Sequence, residues 1–287
     1  MAHGRSLVSK QIVYLSDFEK EADQRRSTFG RTDKHSTGFP GLDEYMGQGF
    51  GNQHGYEIIT VFGESGIGKS SFVLNMISHE LQIGTKTGLL ILEDDIPDVY
   101  NRVRLIVGDG GMRMIKSNKN LEIFPSEVLD GEWSASTILQ WIKDKHDDRG
   151  IELFVLDHIN FVFDNEEHGK GEDRLAHQRK FMMVMNSMVK KLKITVIIVS
   201  HTAKAEAGGM NKIYGTTAIK QVSTKVLGIE ISEIGDLIVN MYKSRFTRRQ
   251  ESIWQMKRNG LRLEEYGVQP QPIPASPRGN GKKGKVK

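Results

Sequence analysis

The segment TVFGESGIGKSSF, residues 60–72, constrains the fold of this chain more than any other stretch. Gly63-Glu64-Ser65-Gly66-Ile67-Gly68-Lys69-Ser70 fits G-x-x-x-x-G-K-[ST] without a gap. The apolar, β-rich run YEIITVF precedes it, and SFVLNMISHEL follows, with Phe72, Val73, Met76, Ile77 and Leu81 spaced for one helical face. Strand, glycine-rich loop and helix in that order let backbone N–H groups curl around a phosphate chain at a helix start. Lys69 would then reach the β- and γ-phosphates, and the Ser70 hydroxyl would face Mg²⁺. The segment from Gly63 through Ser71 is therefore the expected nucleotide site. The plainer alternative, a glycine turn that happens to end in Lys-Ser, does not account for the flanking pattern.

The rest of the chain decides what surrounds that loop. The apolar runs TGLLILE, NLEIF, IELFVLD and ITVIIVS alternate with amphipathic stretches, a pattern that builds a mostly parallel sheet. The methionines of EDRLAHQRKFMMVMNSMVKKLK read as core filler of a long helix. STKVLGIEI, GDLIVNMYKS, SIWQMK and LRLEEYG read as a run of short strands that extends the sheet in antiparallel fashion. Three regions follow: residues 1–35, an arm or linker; 36–267, one α/β domain; and 268–287, a basic tail of Pro, Gly and Lys expected to be disordered. In the arm, Val8, Ile12, Leu15 and Phe18 mark a helix that packs on its own core or on a neighbouring subunit.

The net charge of +4 is misleading if spread over the whole chain. The tail carries Arg278, Lys282, Lys283, Lys285 and Lys287, so the remaining 35 of the 40 basic residues face 36 acidic ones. Affinity for nucleic acid must then come from local patches. There is no cysteine, which excludes disulfides and thiolate metal sites. No signal peptide or membrane-length apolar run is visible, so a cytoplasmic protein without a membrane partner is expected.

Polar residues at strand ends carry the chemistry. Asp157 ends LFVLD, where a carboxylate is placed to hold Mg²⁺ beside Ser70; a helix cap is the alternative. Glu93 ends GLLILE and is followed by Asp94 and Asp95. A carboxylate there can orient or deprotonate an attacking water, and Glu93 is the preferred candidate of the three. His201 and Thr202 close ITVIIVS, where a γ-phosphate contact and a cap are both open. In YKSRFTRRQ, the alternation of Lys243 and Arg245 puts two cations on one strand face, suited to a phosphate on this or a neighbouring subunit.

Together these pieces resemble the RecA-like motor domain of the superfamily 4 hexameric replicative DNA helicases, the DnaB, phage helicase-primase and Twinkle type. GESGIGKS is similar to their Walker A, LLILED to the segment bearing the catalytic glutamate, FVLDHINFV to Walker B, and VIIVSHTAK to the strand of the γ-phosphate sensor. YGTTAIKQVSTKVLGIE resembles their fourth motif, although it begins with Tyr214-Gly215 where Arg-Gly is usual. YKSRF resembles the strand of the Arg finger. The resemblance spans about residues 36–266 and implies a RecA-like P-loop NTPase core with a mostly parallel twisted sheet, helices on both faces and an antiparallel extension. It makes Glu93 the water-activating residue, His201 the γ-phosphate sensor, Gln221 a residue tied to nucleotide state, and Lys243 and Arg245 groups that serve the neighbour's nucleotide. Lys204 and Lys212 fall in the loop that grips single-stranded DNA.

The activity so implied is movement 5′ to 3′ along single-stranded DNA by a homo-hexamer that separates forked DNA, using Mg²⁺ and ATP or another NTP or dNTP. A separate primase and replicative polymerase would accompany it in a bacterial or phage-infected cytoplasm. A RecA/RadA-like recombinase or mediator shares the fold and the Walker motifs, and a nucleotide-switched DNA-loading factor is a non-enzymatic competitor. The His201 motif and the KSRF strand favour the helicase.

Overall fold

The computed structural model describes residues 35–51, 56–125, 134–159, 163, 174–201, 217–245, 252–266 and 271–272. Residues 1–34, most of the basic tail, and the loop carrying Lys204 and Lys212 lie outside them.

A short helix α1 (Pro40–Met46) leads into β1 (Glu57–Gly63) and α2 (Lys69–Ile83). Next come β2 (Thr87–Ile91), α3 (Ile96–Asn118), β3 (Leu121–Pro125), α4 (Ala135–Arg149) and β4 (Leu153–Asp157). They are followed by α5 (Arg174–Leu192), β5 (Thr195–His201), α6 (Thr217–Val222) and β6 (Lys225–Ile231). The chain then turns back through β7 (Leu237–Ser244), β8 (Ser252–Asn259), β9 (Arg262–Glu265) and β10 (Gln271–Pro272).

All these strands join one sheet of order β10-β8-β7-β6-β1-β5-β4-β2-β3, with β9 on β8. The six strands from β3 to β6 in that order run parallel, and β7 to β10 pair antiparallel. Continuous apolar strands such as VIIVS are what a sheet covered on both faces needs. Alternate residues of β5 accordingly serve opposite layers. Ile197 and Val199 meet Leu42 of α1, Phe72 of α2 and Val103 of α3. Val196 and Ile198 meet Trp141 of α4, Phe181 of α5 and Ile219 of α6. Met182 and Met185 are buried there as expected, whereas Met183 is exposed.

At the amino ends of the parallel strands lies a buried ion pair. Lys225 Nζ donates to Glu57 Oε2 at 3.2 Å and to the Gly49 carbonyl at 2.8 Å, while Gly51 N–H and the Thr224 hydroxyl donate to the same carboxylate. With the ammonium and both carboxylate oxygens each given a partner, the pair escapes the penalty of an uncompensated buried charge. It locks the lead-in segment to β1 and β6.

Two expectations change. Glu93 does not end a strand: β2 stops at Ile91, and Glu93 stands two residues on in the turn before α3. Gln271 and Pro272, read as disordered tail, pair with Ile253 and Ser252 on the edge of β8. Edge pairing rests on main-chain bonds and needs no apolar pattern, so composition does not reveal it.

Candidate active site

The phosphate loop joins β1 to α2 at the carboxyl end of the sheet. Gly63 is required by close approach, since a Cβ there would come within 2.7 Å of the Ile229 carbonyl and 2.4 Å of the Ile67 side chain. Gly68, the residue before α2, adopts φ +97°, which side-chain-bearing residues rarely do. Lys69 therefore begins α2 directly and folds back over the loop. Its Nζ donates to the Glu64 carbonyl at 2.7 Å and lies 3.4 Å from His201 Nδ1. Burial lowers the Lys69 pKa, opposed first by Asp157 and then by Glu93. Ser65, Gly66, Gly68, Lys69, Ser70 and Ser71 line an open cleft of about 290 Å³, together with Glu93 and His201.

Ser70 and Asp157 test the fit of Mg²⁺. The Ser70 hydroxyl is hydrogen-bonded to Asp157, whose Oδ1 is buried and accepts no hydrogen bond, with His158 Nε2 3.5 Å away. Burial pushes the Asp157 carboxyl up to about 6. A hydroxyl beside a carboxylate with one buried, unpartnered oxygen is the hard-oxygen donor set that Mg²⁺ takes. The residues fit.

The structure separates the three acids after β2. Asp94 is held by Arg102 through two hydrogen bonds, at 2.5 and 2.8 Å. Asp95 caps α3, accepting from Asp98 N–H at 2.9 Å. Glu93 lines the cleft, as Asp94 does; its side chain is 45% exposed, with Oε2 2.9 Å from His158 Nε2. Both carboxylate oxygens of Asp94 are taken by Arg102, whereas Glu93 is held through Oε2.

His158 received no role from the sequence, although it follows Asp157 directly. It is buried with φ +60°, and its ring stacks on His201 with centroids 4.2 Å apart. Burial, then His201 and Lys69, push its pKa down to about 3. It is thus a neutral imidazole donating from Nε2 to the Glu93 carboxylate, rather than one half of an ion pair. At His201, Lys69 can only donate, so Nδ1 accepts and Nε2 carries the proton. Glu93, His158 and His201 are also the one group among the described residues whose donor atoms are close enough to share a metal ion. The Lys69 ammonium beside His201 opposes a cation there.

Arg102 and Arg258 also line the cleft and escaped sequence reasoning. Arg258 arrives on the β8–β9 hairpin, which Asn75 of α2 fastens by donating to the Leu261 carbonyl at 2.8 Å and accepting from Leu263 N–H at 3.0 Å. The signal would have been a polar Asn on the apolar face of a helix.

Gln221, Lys243 and Arg245 form a separate group. Lys243 Nζ donates to the Lys220 and Gln221 carbonyls, and Arg245 donates to the Gln221 carbonyl as well. Burial and then Arg245 lower the Lys243 pKa to about 8. The backbone there is level with the start of β1: Arg245 N–H donates to the Thr224 carbonyl, and Thr224 N–H to that of Ile58. The phosphate loop leaves β1 at Gly63, five residues on, or roughly 16 Å along the strand. The two cations therefore sit at the opposite end of the sheet from the chain's own phosphate loop.

A family model described as "ATPase: KaiC" matches residues 35–269. Among solved structures, the ATPase domain of G40P is similar with a TM-score of 0.66 and 14% identity, covering 84% of this chain and 93% of that one. The KaiC-like protein PH0186 from the archaeon Pyrococcus horikoshii OT3 is similar with a TM-score of 0.63 and 18% identity, over 82% of this chain and 99% of the other. At such identities the two likenesses show the fold, the RecA-like core expected from the motifs. No curated protein matches the chain.

Proposed function

The chain belongs to the KaiC ATPase family as a RecA-like P-loop ATPase, and from that premise we propose that it is a ring-shaped motor, a homo-hexamer, which hydrolyses ATP while moving 5′ to 3′ on single-stranded DNA and separating duplex DNA. The observation that supports this best is the position of Lys243 and Arg245. Two cations at the far end of the sheet from their own phosphate loop have no bound nucleotide to serve within the subunit. In a ring they face the next subunit's cleft.

Within one cleft the division of labour follows the geometry. Loop N–H groups and Lys69 hold the phosphates. Ser70 and Asp157 would hold Mg²⁺, which when bound would supply positive charge against the negative charge of the phosphates. Glu93 orients the water and accepts its proton as it attacks the γ-phosphorus. The N–H at Nε2 of His201 donates to a γ-phosphate oxygen and so senses its presence. Across the boundary, Arg245 and Lys243 meet the charge that develops as the γ-phosphoryl group leaves ADP. Gln221 joins those cations to α6 and to the strand β6 beside the loop. DNA contact is assigned to Lys204 and Lys212. Primase and polymerase would be separate proteins, and no helix among the described residues is long and apolar enough to cross a membrane.

DNA dependence tests the reading. Single-stranded DNA should stimulate hydrolysis, and Lys204→Ala and Lys212→Ala should each weaken binding without changing sequence preference. Each lost phosphate contact should make the log–log salt slope shallower by about 0.7. Because the basic tail contributes its own slope, the comparison belongs in a chain ending near Gly267. Hydrolysis indifferent to DNA would leave an ATPase that acts on another substrate.

A further inference from the structure

We propose that His158 is a positioning residue: its Nε2–H fixes the Glu93 carboxylate while its ring braces His201, holding the water-orienting and γ-phosphate-facing groups in one register. The inference rests on the hydrolytic roles proposed above for Glu93 and His201.

Three strand ends meet at this point. Glu93 follows β2, His158 follows β4, and His201 ends β5. Because β4 lies between the other two strands in the sheet, a side chain leaving its carboxyl end can touch both neighbours. His158 does so: Nε2 lies 2.9 Å from Glu93 Oε2 on one side, and its ring stacks 4.2 Å from His201 on the other. Its left-handed backbone, φ +60°, turns the side chain back toward the cleft immediately after Asp157. A left-handed non-glycine residue is uncommon, and the strain is tolerated where surrounding contacts demand it. Glu93 itself stands in a turn and is half exposed, so its rotamer has little else to define it. A carboxylate that must aim at a water gains most from a fixed donor behind it.

The His158→Asn variant keeps a residue type that accepts the left-handed conformation but removes the ring and shortens the reach. In the full chain with single-stranded DNA and ATP, kcat should fall about 10²-fold, because misplacement of a reacting group near the reaction centre has that scale. The KM for ATP and the affinity for ADP should stay within about twofold of wild type. ADP–aluminium fluoride, which mimics the transferring phosphoryl group, should bind about 10²-fold more weakly. The His158→Gln variant places an amide donor at about the reach of Nε2 and should recover part of kcat.

If His158 acts through Glu93, the double variant His158→Asn/Glu93→Gln should lose far less than the product of the two single losses, the small remainder being the share carried by the His201 brace. Multiplied losses in the double variant, or a His158→Asn protein with normal kcat or a loss confined to KM, would overturn the proposal. Retained turnover in Glu93→Gln alone would instead remove the role of Glu93, and the single variant reveals that case without reference to His158.

Discussion

Arg245→Ala should bind nucleotide normally and still assemble, yet hydrolyse ATP some 10³–10⁵-fold more slowly, the scale at which cations supplied to a developing γ-phosphate charge act. The size of the effect follows from placement. Arg245 lies at the amino end of the sheet, level with Ile58, while the loop and Lys69 occupy the carboxyl end. Losing it leaves the subunit's own cradle untouched. An Arg245→Ala subunit therefore keeps a complete cleft, and a Lys69→Ala subunit keeps a complete cation pair. Mixed in one ring, some boundaries join an intact cleft to an intact Arg245, and activity should return there although neither parent has it. Mixed rings that show only proportional dilution would mean that Arg245 acts within its own subunit or only on the Gln221 carbonyl.

Glu93→Gln should retain nucleotide and DNA binding and lose about 10²–10⁴-fold in turnover, the contribution of a positioned general base. Gln preserves shape and can still meet His158, but it cannot accept the proton. Asp94→Asn is the informative companion. Asp94 is occupied by Arg102 and Asp95 by the α3 cap, so neither is free to replace Glu93. Hydrolysis within a few-fold of wild type in Glu93→Gln, with a severe loss in Asp94→Asn, would move the water to the Arg102 side of the cleft.

Features carried by local pattern were legible in the sequence. The loop from Gly63 to Ser70 announces itself because glycines, Lys69 and Ser70 must be consecutive. Asp157 follows the apolar run LFVL and His201 follows VIIVS, and such buried strands belong to a sheet covered on both faces, whose carboxyl ends converge. What escaped depends on which strands become neighbours and in which direction they run. His158 gains its place only because β4 lies between β2 and β5, an order that no local pattern encodes. Arg258 reaches the cleft through a hairpin pinned by Asn75, nearly two hundred residues earlier in the chain. The alternation of Lys243 and Arg245 was visible, but their distance from the chain's own loop follows from the antiparallel return of β7. Gln271 and Pro272 pair through main-chain bonds, to which composition is blind.

Strand separation on a forked duplex tests the central claim most directly. With ATP and Mg²⁺, the wild-type chain should displace the strand from a fork carrying a free 5′ single-stranded tail on the tracked strand. It should fail on a duplex with only a 3′ tail, and both Arg245→Ala and Glu93→Gln should be inactive on every substrate. Vigorous DNA-stimulated hydrolysis without strand displacement on any fork, by protein that coats the single strand as a filament, would contradict a translocating ring and point to a strand-pairing ATPase.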